Sequence, residues 1–226
     1  MPPTLLSKRL HAILHCIHPH CECLADVGTD HGYIPIAAVQ QEKCTTAIAC
    51  DIVKGPLDTA RRNIAAAGLS HRIDTRLADG LSAIRTGEAD CIVISGMGGM
   101  MIQDIIHKSL SVAQAAKKLI LQPQHDIPAL RRYLHASGFE IIDEHIVPEI
   151  KKDYVILCAS FSSQPLQQWT EQEYFIGKHL MDKPDPHLAQ YAHKEIKRIQ
   201  RYIHNIRDIN DKKTAMMQLS WLDDVI

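Results

Sequence analysis

The stretch from Leu24 to Tyr33 constrains this chain more than any other part of its sequence. An apolar run turns sharply at Gly28 and leads into a segment over 33–40, which predicts a strand, a glycine turn and a helix. At the carboxyl end of a parallel strand, such a turn directs backbone N–H groups and a helix N-terminus toward a ligand. Asp26 and Asp30 make the turn acidic, which disfavours a pyrophosphate and favours a cationic or hydroxyl-rich ligand. S-adenosylmethionine (SAM), which carries an ammonium, a sulfonium and ribose hydroxyls, has that chemistry.

The remaining apolar runs predict a doubly wound α/β sheet, built by repeated alternation of strands and helices. Strands are predicted over 45–50, 73–77, 90–94 and 118–122, and helices over 56–67, 101–108 and 127–136. Two later apolar runs, 139–147 and 154–161, are joined by the charged segment 149–153. They predict an antiparallel hairpin at one edge of the sheet.

Acidic residues follow two of these strands. Asp51 ends the second strand, 25 residues after Asp26. Doubly wound sheets place an acid that binds ribose hydroxyls there. The alternative is an aspartate that caps the helix after it. Asp79 follows the third strand, where a carboxylate would accept a hydrogen bond from the exocyclic amine of adenine.

The fourth strand is followed by three glycines within the four positions 96–99. Glycine weakens the interior of a helix or strand, and it lets the backbone approach a ligand closely. We therefore predict a functional loop from Ser95 to Met101.

A helix with a basic face is predicted over 5–17, with Lys8 and Arg9 near its start. This face is either simply solvated or a phosphate contact near the ligand site. The next segment, 15–23, contains three histidines and three cysteines. Its spacing fits no paired Cys-x2-Cys zinc pattern. We interpret it as the connection to the first strand and expect no metal.

Residues 169–226 show helical periodicity and little strand character. The spacing of Ile196, Ile199, Ile203 and Ile206 predicts an antiparallel helical hairpin of coiled-coil type, after a helix break at 182–186. Over 177–213, nine lysines and arginines face five acidic residues. This surface is a solvated flank, an RNA-phosphate surface or a protein-partner surface.

Length, net charge and cysteine content limit the classes of protein to which this chain can belong. The 226 residues suffice for one core with an appendage, and the net charge of −1 gives no global sign of nucleic-acid binding. No apolar run approaches the length of a membrane span, and the N-terminus lacks a signal-peptide core, so we expect a cytoplasmic protein. Seven cysteines, an odd number, favour reduced thiols over a disulfide framework.

Four motifs occur in the same order as in the bacterial tRNA (adenine-22-N1) methyltransferases, the TrmK family, and the chain resembles that family over nearly its whole length. The motifs are residues 6–10, 25–33, 94–99 and 119–123. The resemblance implies a class I SAM-dependent methyltransferase domain over 1–163 and a coiled-coil-like helical domain over 164–226 that helps hold tRNA. It implies SAM as cofactor and tRNA as partner, and we expect a monomer.

The motifs and the resemblance together assign roles to individual residues. Those assigned to the SAM pocket are Asp26, Gly28, His31, Asp51, Asp79, Gly80, Ser95, Gly96 and Met97. Those assigned to tRNA are Lys8, Arg9, Gly98, Gly99, Lys194, Lys197 and Arg201. Asp30 is the candidate catalytic residue, because a carboxylate would stabilise the cation that forms when adenine N1 is methylated.

Segment 95–99 stands where amine methyltransferases carry an Asp/Asn-Pro-Pro-Tyr motif. The absence of that motif favours a ring nitrogen over an exocyclic amine as the methyl acceptor. The alternatives are methylation of another RNA base or a small molecule, a non-catalytic RNA-binding protein with a degenerate pocket, and a nucleotide-dependent dehydrogenase. Intact acids at Asp26, Asp51 and Asp79 argue against a degenerate pocket. The missing Gly-x-Gly-x-x-Gly pattern argues against a dehydrogenase.

Overall fold

The computed structural model describes residues 6–149, 152–183 and 185–226. Three sequence-based assignments therefore lie in part outside the described residues: Leu5 of the first helix, residues 150–151 of the hairpin connection and Pro184 of the helix break.

A seven-stranded sheet forms the centre of the molecule, with strand order β3-β2-β1-β4-β5-β7-β6. Its strands are β1 (Cys21–Val27), β2 (Cys44–Asp51), β3 (Ile73–Leu77), β4 (Cys91–Met97), β5 (Lys118–Pro123), β6 (Phe139–Pro148) and β7 (Asp153–Phe161). Strands β1 to β5 pair in parallel, whereas β7 is antiparallel to both β5 and β6. The predicted doubly wound sheet with an antiparallel edge hairpin is confirmed.

Helices cover both faces of this sheet. They are α1 (Lys8–Cys16), α2 (Tyr33–Gln40), α3 (Lys54–Ala66), α4 (Gly99–Lys108), α5 (Leu110–Ala115), α6 (Ile127–Ala136), α7 (Lys178–Asp182), α8 (Leu188–Tyr202) and α9 (Ile209–Asp223). Alternate residues of β1 point to opposite faces, as the period of a strand requires. Leu24 packs in the cluster under α1, α2 and α3, and Ala25 packs in the cluster under α4, α5 and α6.

Two local predictions differ from the structure. The expected alternation of strand and helix fails after β3, because residues 78–90 form turns and bends. The short helix α5 was not predicted from the sequence. Because no helix forms over the described residues 78–90, Asp79 and Gly80 lie in the turn directly after β3, at its carboxyl end.

The C-terminal segment is helical, as predicted, but its helices are shorter than the isoleucine spacing indicates. Helix α8 ends at Tyr202, and Ile203–Asn205 forms a 3-10 turn before α9. Ile199 and Ile203 are buried in the same hydrophobic cluster as the sheet residues Ile92 and Leu121. The core under α4 and α6 therefore continues into the C-terminal helices.

A buried ion pair fixes the start of this segment. Arg131 on α6 is fully buried, and its Nε donates to Glu144 Oε1 over 2.7 Å. Its remaining nitrogens donate to the backbone carbonyls of residues 174–176, which lie in the π-helix Glu173–Gly177. Among the described residues, no helix is both long and apolar enough to cross a membrane.

Candidate active site

A cleft of about 720 Å³ opens at the carboxyl ends of β1, β2 and β4. The sheet order reverses direction between β1 and β4, and such switch points are where open α/β sheets bind ligands. The cleft is lined by all the residues assigned to SAM, by the candidate catalytic residue and by one residue assigned to tRNA. They are Arg9, Asp26, Gly28, Asp30, His31, Asp51, Asp79, Gly80, Ser95, Gly96 and Met97.

The turn after β1 requires glycine at its first position. Gly28 has a φ of 73°, and a Cβ placed there would lie 2.2 Å from Met97 Cε. The N–H groups of Gly28 and Thr29 both donate to the carbonyl of Cys50 over 2.9 Å. This close crossing joins the ends of β1 and β2, so their two acids face one cleft.

Asp26 is a buried carboxylate at the floor of the cleft, with 2% of its surface exposed. Burial raises the pKa of Asp26 to about 7, although Thr29 Oγ1 donates to its Oδ2 over 2.7 Å and opposes that rise. Nearby Asp51 raises this pKa further by charge repulsion. A cation in the cleft would relieve both effects and hold Asp26 ionised.

Asp51 also has a structural task. Its Oδ2 accepts the N–H of Asp30 over 3.1 Å, and its Oδ1 accepts the N–H of Val53 over 2.8 Å. The alternative of a capping aspartate is wrong, because Val53 is the N-cap of α3 and no side chain among the described residues caps that helix; Asp51 instead orders the turn just before α3. Each carboxylate oxygen retains a second lone pair, which leaves capacity for ribose hydroxyls.

Asp30 and His31 lie at the mouth of the cleft. Asp30 adopts a left-handed φ of 51°, and its side chain is 65% exposed. Its Oδ2 lies 3.5 Å from His31 Nε2. The Asp30 carboxylate is thus available to a molecule that arrives from solvent, in contrast to buried Asp26.

Asp79 and Gly80 form the opposite wall. Asp79 Oδ2 is 3.3 Å from Lys108 Nζ, and both side chains are more than half exposed. Gly80 has a φ of 59°, and a Cβ there would lie 2.9 Å from Ile105 Cγ2. The sequence did not indicate Lys108, which brings a positive charge to the place assigned to adenine.

The prediction of a loop from Ser95 to Met101 is wrong in its secondary structure. Strand β4 continues to Met97, and α4 begins at Gly99. A register shift between Ser95 and Met97 interrupts the regular pairing with β5, and these residues line the cleft. Gly98 and Gly99 allow the end of β4 and the start of α4 to pack closely against residues 125–126.

Gly98 and Gly99 pack away from the residues that line the cleft. A Cβ on Gly98 would lie 2.6 Å from His125 Cε1, and one on Gly99 would lie 2.6 Å from the carbonyl oxygen of Asp126. These glycines allow α4 to start against segment 125–126. Their assignment to tRNA stays a prediction.

Arg9 lines the cleft. It therefore lies closer to the proposed SAM site than a residue on a solvated helix face would. Its Nη1 donates to Gln122 Oε1 over 2.8 Å, and its guanidinium carbon lies 5.5 Å from the ring centroid of Tyr154. Gln122 is fully buried at the end of β5. The sequence analysis did not assign Gln122 to the site. Its position as a polar residue at the end of an apolar strand was the feature that could have indicated it.

The other residues assigned to tRNA lie outside the cleft. Lys8 is exposed on α1, and Lys197 and Arg201 are exposed on α8. Lys194 lies on the same stripe of α8, but its Nζ pairs with Asp153 Oδ1 over 2.7 Å. Spacings of three and four residues place these three α8 side chains on one helix face.

Comparisons with known proteins agree with this geometry. The family model described as TrmK, tRNA (adenine(22)-N(1))-methyltransferase, matches residues 24–225. A Bacillus subtilis tRNA (adenine(22)-N(1))-methyltransferase is 40% identical over 154 residues, which cover 68% of this chain and 64% of that protein. The aligned part is thus less than two thirds of the Bacillus subtilis protein.

Solved structures match over nearly the whole chain. The Bacillus subtilis m1A22 tRNA methyltransferase superposes with a TM-score of 0.81 at 31% identity, covering 97% of this chain and 94% of that one. A Streptococcus pneumoniae protein in complex with S-adenosyl-L-methionine superposes with a TM-score of 0.88 at 30% identity, covering 98% and 99%. The chain therefore belongs to the tRNA (adenine(22)-N(1))-methyltransferase family.

Proposed function

We propose that this protein transfers the methyl group of SAM to N1 of adenine 22 in tRNA. The observation that carries the proposal is the cleft between β1, β2 and β4, where Asp26 and Asp51 face one space beside a glycine turn. Membership of the family supports the acceptor, and the SAM complex of the Streptococcus pneumoniae relative supports the donor.

The residues of the cleft fit SAM by their chemistry. Buried Asp26 would pair with the α-ammonium, and Asp51 would accept hydrogen bonds from the ribose hydroxyls. Asp79, next to Gly80, would accept from the adenine amine. Positions 95–97 and His31 would border the methionine portion. When bound, SAM supplies an electrophilic methyl group on its sulfonium.

The acceptor side requires little proton chemistry. Adenine N1 has an in-plane lone pair, so the protein's task is to align it with the methyl group and exclude water. Adenine 22 must also be exposed from the folded tRNA, which implies local opening of the nucleic acid. Asp30, at the mouth of the cleft, would stabilise the positive charge that develops on the base.

Asp30→Asn tests this role. We expect turnover to fall by more than tenfold while the Kd for SAM changes by less than about twofold, because the carboxylate acts on the methylated base. Single-turnover methylation and equilibrium SAM binding would be measured on the same preparation. Equal losses in both would move Asp30 to the cofactor.

The basic stripe of α8 is proposed to hold tRNA phosphates, and the helical region 164–226 is proposed to act as a tRNA-binding domain. Replacing Lys197 and Arg201 with Ser should weaken tRNA binding and reduce the salt slope by about 2, close to one per lost phosphate contact. SAM binding should not change. The matched control replaces the exposed residues Arg62 and Arg85, which lie outside region 164–226 and outside the cleft lining, and an equal loss there would refute a specific role for α8.

The decisive experiment is transfer of a labelled methyl group from SAM to unmodified tRNA, followed by nucleoside analysis. We expect N1-methyladenosine, and we expect it to disappear when adenine 22 is replaced by guanine. Methylation of another base would support the first alternative. SAM binding without any methylated RNA would favour a small-molecule acceptor, and no SAM binding would favour a degenerate pocket.

The proposal includes three further expectations, on oligomeric state, location and metal use. The chemistry needs one cleft and one tRNA, so we propose that the protein acts as a monomer. We propose that it works in the cytoplasm, where its tRNA substrate is found. The methyl transfer itself, as proposed, uses no metal ion.

A further inference from the structure

We propose that Cys16, His145 and Cys158 form a zinc site, separate from the cleft, that fastens helix α1 to strands β6 and β7. One ligand atom from each side chain lies within 4.8 Å of the other two. Within the described part of the chain, this is the group of three such side chains that come so close together. Two thiols and an imidazole are donors that Zn²⁺ prefers.

The three ligand atoms would have to move only slightly closer together to bind one zinc ion. Zinc binds sulfur at about 2.3 Å and imidazole nitrogen at about 2.0 Å, so ligand atoms around it lie roughly 3.3–3.8 Å apart. The three atoms are within about 1 Å of that spacing. Strands β6 and β7 are already held together by the fold, since they pair at both ends, with one register shift between Ile141 and Asp143, and place Asp143 opposite Cys158.

Burial and access also suit a metal. Cys16 and Cys158 are buried, with 6% and 1% of their surface exposed. The side chain of His145 is 43% exposed, so the group opens toward solvent on one side. An ion could enter from that side, and water could supply the fourth ligand of a tetrahedral centre.

The surroundings of His145 match a metal-bound histidine. Its Nε2 lies 3.3 Å from Asp143 Oδ2. Histidines that bind metals usually donate their second ring N–H to such a carboxylate, which fixes the ring orientation. Two thiolates would neutralise the charge of Zn²⁺. Lys118, whose Nζ donates to the carbonyl of Cys16 over 3.0 Å, lies at the border of the group.

This arrangement differs from the metal hypothesis that the sequence raised and rejected. Of the histidines and cysteines in 15–23, only Cys16 takes part, and its partners come from positions more than 120 residues later. The proposal departs from the sequence-based expectation of no metal, which itself stays a prediction. A site here would also steady α1, which carries Arg9 into the cleft about two turns away.

The test is metal binding by the full-length protein, purified without a histidine tag. After removal of metal and addition of Co²⁺, we expect about one bound equivalent with a thiolate-to-cobalt absorption band in the near ultraviolet. Zn²⁺ should displace it. Cys16→Ser, Cys158→Ser and His145→Asn should each abolish the band or weaken binding at least tenfold. Cys44→Ser, which removes another buried thiol, is the matched control and should bind as the wild type does.

Loss of the band in the control as well would overturn the proposal, and so would wild-type protein without a thiolate–cobalt band. A Cys16–Cys158 disulfide, seen by mass spectrometry in protein kept under reductant, would also overturn it. His145→Asn guards against misfolding, because this side chain is partly exposed, and its SAM affinity should stay near that of the wild type.

Discussion

Replacing Asp26 with asparagine tests the electrostatics of the cleft most directly. Burial raises the pKa of Asp26 to about 7, so the carboxyl group changes its charge near neutral pH. If only the carboxylate pairs with the ligand ammonium, the ionised fraction rises roughly tenfold from pH 6 to pH 8, and affinity should rise with it. S-adenosylhomocysteine is the suitable probe, because it lacks the sulfonium and its amine stays protonated over this range.

The raised pKa of Asp26 also predicts how the free energy of unfolding depends on pH. Asp26 has a folded pKa of about 7 against 3.8 for the free group, so the folded state holds its proton more tightly. Stability is therefore unaffected below pH 4 and falls as the pH rises from 4 to 7, by about 4 kcal/mol in total. An asparagine side chain carries no charge at any of these pH values, so Asp26→Asn should be more stable than the wild type at pH 8. The difference should vanish near pH 4.

Both quantities are measurable on one pair of proteins. Calorimetric titration should show a rise in wild-type affinity with pH and a flat, weak affinity for Asp26→Asn. Urea unfolding at pH 8 should show that Asp26→Asn, which binds the ligand more weakly, is the more stable of the two proteins. Asp223→Asn, an exposed change on α9, is the control and should leave both unchanged. Parallel pH profiles for Asp26→Asn and the wild type would refute the assignment of the ammonium to Asp26.

Two further predictions concern the packing that supports the cleft. Gly28→Ala should lower stability by about 1 kcal/mol because its φ is 73°, and it should lower SAM affinity as well, because the new Cβ would displace the terminal methyl group of Met97, which lines the cleft. Gly87→Ala has a similar φ but open space around it and lies outside the cleft lining, so it should lose a similar amount of stability and bind SAM as the wild type does; unchanged SAM affinity in Gly28→Ala would contradict the contact argument. Arg131→Met should destabilise by about 3–5 kcal/mol in urea, since it leaves Glu144 buried and unpaired. Arg132→Met breaks an exposed pair and should change stability by less than about 1 kcal/mol; similar losses would refute a special role for the buried pair.

The sequence alone predicted the strands, most of the helices and the edge of the sheet that carries the site. The strand, glycine turn and helix around Gly28 are local features, read from side chains a few residues apart. Parallel strands end at one edge, so acids at the ends of β1 and β2 had to meet there. This reasoning brought Asp26, Asp51 and Asp79 to one cleft, as the structure has them.

Tertiary structure alone decided the features that join distant parts of the chain. Strand β4 continues through Gly96 because β5 pairs with it as far as Met97, whereas glycine content by itself predicted a loop. Arg9 meets Gln122 across 113 residues, and Cys16 meets Cys158 across still more. Local propensity is set by neighbours in the chain, but these contacts depend on how α1 packs against β5, β6 and β7. No periodicity or spacing in the sequence encodes that packing.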